Sequence, residues 1–183
     1  MIRVLERLKK DHKHAAALID ILASSLQQIN AGENADFELM RDVMHYLVRF
    51  NDTVHHPCED LLYARMADKS KALARQFAGL GNEHDHLIEL GKRLADNLSM
   101  IADGGMSLRE DILALGNEYV SEFRQHMMRE ERSLFPMIEQ HLEDTDSEEV
   151  FQILQAQQDP VFGPILDADF KALYDHIHTH KNC

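Results

Sequence analysis

The sequence predicts an all-α protein, built as an up-down-up-down four-helix bundle with extra C-terminal helices. Three observations predict it. Apolar residues recur at steps of three and four, with no lasting strand-like alternation. Turn and capping residues divide residues 1–145 into four long stretches. A constellation of histidines and acids also occurs twice in the same order: Asp11-His12 is echoed by Glu83-His84, and His55-His-Pro-Cys-Glu59-Asp60 by His126-Met-Met-Arg-Glu130-Glu131. Repetition in register implies that the two halves build one shared site.

The elements follow in order. Leu5, Leu8, His12, Ala16, Ile19, Ala23 and Leu26 mark one face of a first helix that ends near Ala31-Gly32. Asp36 is the N-cap of a second, running to about Asp68. Ser70 caps a third, which stops before Asp103-Gly104-Gly105. Ser107-Leu-Arg-Glu110 has the capping-box form and opens a fourth, to about Leu142. Four helices of about 30 residues are each about 45 Å long, and short loops make neighbours antiparallel. Pro57 and Pro136 fall inside the second and fourth patterns, where each should kink or bulge its helix; an end at Pro136 is the alternative. Thr145-Asp-Ser-Glu148 opens a shorter fifth helix. Asp159-Pro160 and Gly163-Pro164 then break the chain before a last one over residues 165–178. The expected division is a bundle over 1–145 and a helical extension over 146–183 packed on it.

Composition narrows the function. The 183 residues suffice for one buried core, and 44% are hydrophobic against 28% charged. No apolar run approaches the roughly 20 residues that span a bilayer, and the charged start lacks the apolar core of a secretory signal. A net charge of −13 repels nucleic acid and anionic membranes, so neither is an expected partner. Cys58 and Cys183, far apart, argue against a disulfide framework or a thiolate zinc site; a reducing cytoplasm is the expected location.

With 12 histidines and 32 acidic residues, a carboxylate four positions after a histidine arises by chance, so spacing alone is no argument. Helical phase, at about 100° per residue, is a better one. His12 and His84 fall on apolar stripes, and His14 and His86 point away. Glu130 sits mid-stripe among Phe123, Met127, Leu134 and Met137, with His126 beside it. A carboxylate there is costly unless protonated, paired or metal-bound. His55 and Glu59 flank the stripe of Leu47, Val54 and Leu61, whereas His56 and Asp60 are turned further away and read as solvated. His14, His56, His86 and His141 read as surface residues, and Met100, Met106, Met127, Met128 and Met137 as packing. Cys58 reads as a small buried residue, and the Asp175–His180 histidines as a solvated tail. Four inward histidines and two inward glutamates are what two nitrogen- and oxygen-liganded metal ions need.

These strings resemble the hemerythrin-like, or HHE cation-binding, superfamily of bacterial type. Asp11-His12, His55-His-Pro-Cys-Glu59-Asp, Glu83-His84 and His126-Met-Met-Arg-Glu130-Glu, with the following Leu134-Phe-Pro136, carry the resemblance over residues 3–142. Asp159-Pro-Val-Phe-Gly163 is also similar to bacterial members. The resemblance implies a bundle holding two non-haem iron ions (Fe2+/Fe3+) with a bridging oxo or hydroxo group. It implies His12, His55, Glu59, His84, His126 and Glu130 as ligands, with the glutamates bridging. The oxygen carriers of the group have a further histidine one turn before the third-helix ligand, where this chain has Leu80. Their last carboxylate is an aspartate five positions after its histidine, where this chain has glutamate at four. Both departures bring the chain nearer to the bacterial repair-of-iron-centres and stress proteins. Those repair proteins carry a cysteine-containing N-terminal segment, and this sequence starts with its first bundle helix. A ferritin-like centre, which wants two Glu-x-x-His motifs, is disfavoured, since Glu83-x-x-His86 stands alone near the site.

The expected function is thus a non-haem di-iron protein that binds or reacts with small ligands (dioxygen, nitric oxide or hydrogen peroxide) in oxidative or nitrosative stress or iron homeostasis. The alternative is a reversible oxygen-binding or gas-sensing module without turnover, which usually needs an output domain this sequence has no room for. A third reading is a metal that only stabilises the bundle. Whether the protein is an enzyme stays open, as does a homodimer. Leu80 at the carrier's histidine position predicts that the reduced centre reacts with dioxygen without holding it reversibly.

Overall fold

A computed structural model of the chain describes residues 3–180; Cys183 and the side chain of His180 lie outside the described residues. The helices are α1 (Arg3–Ala31), α2 (Phe37–Tyr46), α3 (His56–Lys69), α4 (Lys71–Phe77), α5 (Leu80–Ala102), α6 (Arg109–Arg129), α7 (Phe135–His141), α8 (Asp144–Ala156) and α9 (Lys171–His180). A π-helical segment, Leu47–His55, joins α2 to α3, and a second, Glu130–Leu134, joins α6 to α7. Four long rods result: α1, α2 through α3, α5, and α6 through α7. Each packs on two neighbours, α1 on α2 and α6, and α5 on α2 and α6, which closes the up-down-up-down ring.

The boundaries have local causes. Asp36 accepts from the Leu39 N–H and Ser70 from the Leu73 N–H, as their cap positions predict. The third stretch is not one helix from Ser70, however. It breaks after Phe77, where Gly79 takes φ +91°, a conformation that side-chain-bearing residues avoid. Nor does Ser107 cap the fourth. Helix α6 starts at Arg109, and the Leu108 carbonyl, not a side chain, accepts from the Asp111 and Ile112 N–H groups. Pro57 and Pro136 each occupy the first turn of an α-helix directly behind a π-helical segment. That placement suits proline, which lacks an N–H and fixes φ. The wider turn before it supplies the predicted bulge.

Two apolar clusters fill the bundle. One holds Leu18, Leu22 and Leu26 of α1 against Leu94, Leu98, Leu115 and Tyr119; the other holds Leu5 and Leu8 against Leu62, Met66, Leu80, Phe135 and Ile138. Residues 11–12, 55–59, 84 and 126–130 fall between them along their rods, so a polar layer lies between two dry cores. Fully buried Phe135 stacks on His12 at 5.3 Å and contributes about 1.5–3 kcal/mol by burial. Helix α8 lies on α1 and α3, with Val150 and Leu154 in the second cluster and Asp146 3.2 Å from Arg65 and 3.0 Å from Lys69. Helix α9 lies on α2. Among the methionines read as packing, Met127 is buried, but Met100, Met128 and above all Met106, at 92%, are exposed. Met106 sits in the loop between α5 and α6.

Candidate metal centre

The polar layer gathers side chains from all four rods. The His12, His55, Glu59, His84, His126 and Glu130 side chains are each 4% exposed or less. His12 Nε2 lies 3.4 Å from Glu59 Oε1 and 3.3 Å from Glu130 Oε2, and His55 Nε2 lies 3.2 Å from Glu59 Oε1. On the other side His126 Nε2 is 3.2 Å from Glu130 Oε2. His84 Nε2 is 3.1 Å from His126 Nε2 and 3.7 Å from both Glu59 Oε2 and Glu130 Oε1. Each glutamate therefore reaches histidines of both halves.

These approaches do not satisfy the carboxylates. Both oxygens of Glu59, and Oε2 of Glu130, are buried without a hydrogen-bond partner. Such atoms are rare in native interiors and call for an explanation. The donor set offers one. Ligands about 2.1 Å from a metal and at right angles are about 3 Å apart, which is the spacing of the two facing nitrogens of His84 and His126. Two groups of donors are close enough to hold an ion, His12–His55–Glu59 and His56–Glu59–His84–His126, and Glu59 belongs to both.

His56 corrects the sequence reading. Expected as a solvated residue, it is 2% exposed, stacked on His84 at 4.4 Å and 13°. The cause is the π-helical segment that ends at His55: its wider turn shifts every following residue from the phase that a continuous α-helix would give. Asp60 is also more than a solvated acid. Its side chain is 45% exposed, yet Oδ1 lies 2.8 Å from His84 Nδ1. His14 is half-buried rather than free, with Nδ1 3.3 Å from Asp159 Oδ2 and its ring 4.0 Å from that of Phe162. His86 and His141 are exposed, as expected.

A second ring of acids backs the histidines. Nδ1 of His12 faces Glu131 at 3.1 Å, His55 faces Asp11 at 3.7 Å, and His126 faces Glu83 at 3.6 Å. With Asp60 behind His84, all four inward histidines turn Nδ1 to a carboxylate and Nε2 to the centre, as a ligating imidazole does; the outer contact is a hydrogen bond at His12 and His84. Arg7 donates to Asp11 and Arg129 to Glu83. Each of these acids adjoins a repeated ligand: Asp11 and Glu83 precede the lone histidines, and Asp60 and Glu131 follow the glutamates. The repeat therefore held the signal for them, although phase alone had left Asp60 in solvent. Tyr63 donates to Glu130 Oε1, and burial, then Glu59 and Glu130, raise its pKa far enough to keep that proton in place.

Without metal, the surrounding carboxylates draw His12 and His84 towards their protonated forms. Burial would lower the His12 and His84 pKa values, but the glutamates and Glu131 or Asp60 outweigh it; His12 is raised well above its ordinary value and His84 to about 10. Burial would raise Glu130, and Glu59 adds to that, yet His12, His84 and His126 hold it down at about 2. His56 goes the other way: burial, then the nearby imidazoles of His84, His55 and His126, lowers its pKa well below the ordinary value, and burial lowers that of His126 as well. A further group, Asp11, His14 and Asp159, is satisfied without an ion. Asp159 accepts from Tyr46 and from the Val161 and Phe162 N–H groups, and Asp11 from Arg7.

A four-helix bundle with a buried layer of histidines and carboxylates, shared between its two halves, defines a cation-binding helical protein. The model of the Hemerythrin HHE cation binding domain matches residues 3–138 and, in a second, overlapping match, 82–180. The chain belongs to this hemerythrin HHE family. A search of curated proteins finds no match. Among the described residues no helix is long and apolar enough to cross a membrane.

Proposed function

We propose that the protein is a non-haem di-iron protein whose centre binds or reacts with a small ligand (dioxygen, nitric oxide or hydrogen peroxide) in oxidative or nitrosative stress or iron homeostasis. One observation carries the proposal: two buried carboxylates with unsatisfied oxygens stand between two histidine sets of opposite halves. In this reading His12 and His55 hold one iron, His84 and His126 the other, and Glu59 and Glu130 bridge them. Nitrogen and oxygen donors without thiolate suit iron or manganese. When bound, the iron pair supplies reversible one-electron chemistry and a position for an exogenous ligand. The chain's own residues do the rest. The outer acids hold each ring in orientation, Tyr63 restrains Glu130, and the two apolar clusters keep bulk water from the layer.

A surface recess of about 220 Å³ between α3, α4 and α5 supports access by a small molecule. Its wall includes Asp60, which backs His84, and Tyr63, which bonds Glu130. The proposal places this chemistry in the cytoplasm, on the sparse use of cysteine. A second reading, reversible binding without turnover, is favoured by His56, a further buried histidine grouped with Glu59, His84 and His126. Anaerobic iron loading with metal analysis, then mixing the reduced protein with each gas, tests the proposal. Two irons per chain and a spectral change on mixing are expected; an inert or metal-free product overturns it.

A further inference from the structure

The two halves of the layer match residue for residue, with one exception. His12 pairs with His84, His55 with His126 and Glu59 with Glu130; outside them Asp11 pairs with Glu83 and Asp60 with Glu131. The backing contacts follow the same symmetry. Asp11 and Glu83 each stand behind the histidine of their own half's His-x-x-x-Glu pair, while Asp60 and Glu131 each cross to the other half's lone histidine. His56 breaks this pattern, because its counterpart is Met127 and that of Asp52 is Phe123.

His56 nevertheless has what marks the other four. It is buried, and one of its ring nitrogens falls in the same 4.8 Å group as the ligand atoms of Glu59, His84 and His126. Its Nδ1 turns to a carboxylate, Asp52 Oδ1 at 3.6 Å, as those of His55 and His126 do at 3.7 and 3.6 Å. That Nδ1, like those of His55 and His126, is buried without a hydrogen-bond partner.

We infer that His56 is a fifth histidine ligand, which joins the metal held by His84 and His126 and makes the two metal positions inequivalent. This rests on the di-iron reading and deepens it. With Glu59 and Glu130 shared, the His84 position has three histidines and the His12 position two. Asp52 faces His56 Nδ1 at 3.6 Å, and the third nitrogen comes from α3.

The test is proton NMR of the anaerobic diferrous protein, in water and in deuterium oxide. Each ring Nδ1–H of a coordinated histidine gives one exchangeable, strongly shifted signal. Five signals are expected from the wild type, and four from His56→Leu with iron content still at two per chain. Four signals in the wild type, with two irons bound, overturn the inference and leave the di-iron reading intact. Fewer than two irons in the wild type overturns both. Should His56→Leu fail to fold, the wild-type count decides alone. Mössbauer spectra of the 57Fe-loaded protein give a second readout, with two distinct iron doublets expected and a single common doublet against it.

Discussion

His84 Nε2 and His126 Nε2 face each other at 3.1 Å, one from α5 and one from α6. Two imidazole nitrogens at this distance share at most one proton and repel otherwise. The contact is thus poor as an end state and well suited to two adjacent ligands of one metal.

Removing a ligand should therefore strip metal, and removing an outer histidine should not. His55→Ala or Glu130→Ala is expected to halve the iron content or worse, while His14→Ala, His86→Ala and His141→Ala keep it nearly full. Metal analysis of the desalted proteins checks this. A similar loss in the His14 and Glu130 variants would refute the facing that the bundle gives these side chains.

Chelation should soften the fold, since Glu59 and Glu130 would remain buried with unsatisfied oxygens. At metal about 1,000-fold above its dissociation constant, binding adds about 4 kcal/mol. For a chain of this size that is a fall of roughly 8–16 °C in melting temperature on metal removal. Calorimetry of loaded and stripped protein reads it directly, and an unchanged midpoint would mean that the layer closes without metal.

Much of this was legible in the chain. Asp36 and Ser70 cap where their spacing predicts, and the repeat points to the buried layer, because histidines and carboxylates recur in order. Three features escaped for physical reasons. The π-helical segment before Pro57 shifted His56 out of any phase count made at a constant 100° per residue. Gly79, one of two glycines flanking Leu80, became a break because only the packed chain decides between a tolerated and a left-handed glycine. Asp60 looked solvated because part of it is: its side chain is 45% exposed while bonded inward to His84.

The stripped protein should lose stability at both ends of the pH scale. His84 rises from 6.5 to about 10 on folding, so its contribution is full below about pH 6.5 and vanishes as pH climbs through 10. Glu130 falls from 4.5 to about 2, so its contribution is full above about pH 4.5 and fades as pH drops towards 2. Denaturant midpoints of the metal-free protein should plateau between pH 4.5 and 6.5. Metal uptake, by contrast, must displace the protons on His12 and His84. Loading at neutral pH should acidify an unbuffered solution, and apparent affinity should climb with pH. A pH-independent uptake would show that these rings are not ligands.

Tyr63→Phe should keep the fold and weaken it by about 2 kcal/mol, the usual worth of a hydrogen bond to a charged group. Its phenol donates to Glu130 Oε1 in the dry interior, and phenylalanine leaves that oxygen with His84 alone. Urea denaturation of the metal-free variant measures the loss. Wild-type stability would mean that Tyr63 only fills space beside Phe77.

The central claim is that one layer, built by both halves, holds two irons. Its most direct measure is the iron-to-protein ratio of anaerobically loaded, desalted protein, with Glu59→Ala beside the wild type. Glu59 alone belongs to both donor groups. The account predicts two irons per chain in the wild type and a loss from both positions in the variant, to well below one. A wild type that holds one iron or none, or a Glu59→Ala protein that keeps two, would contradict it.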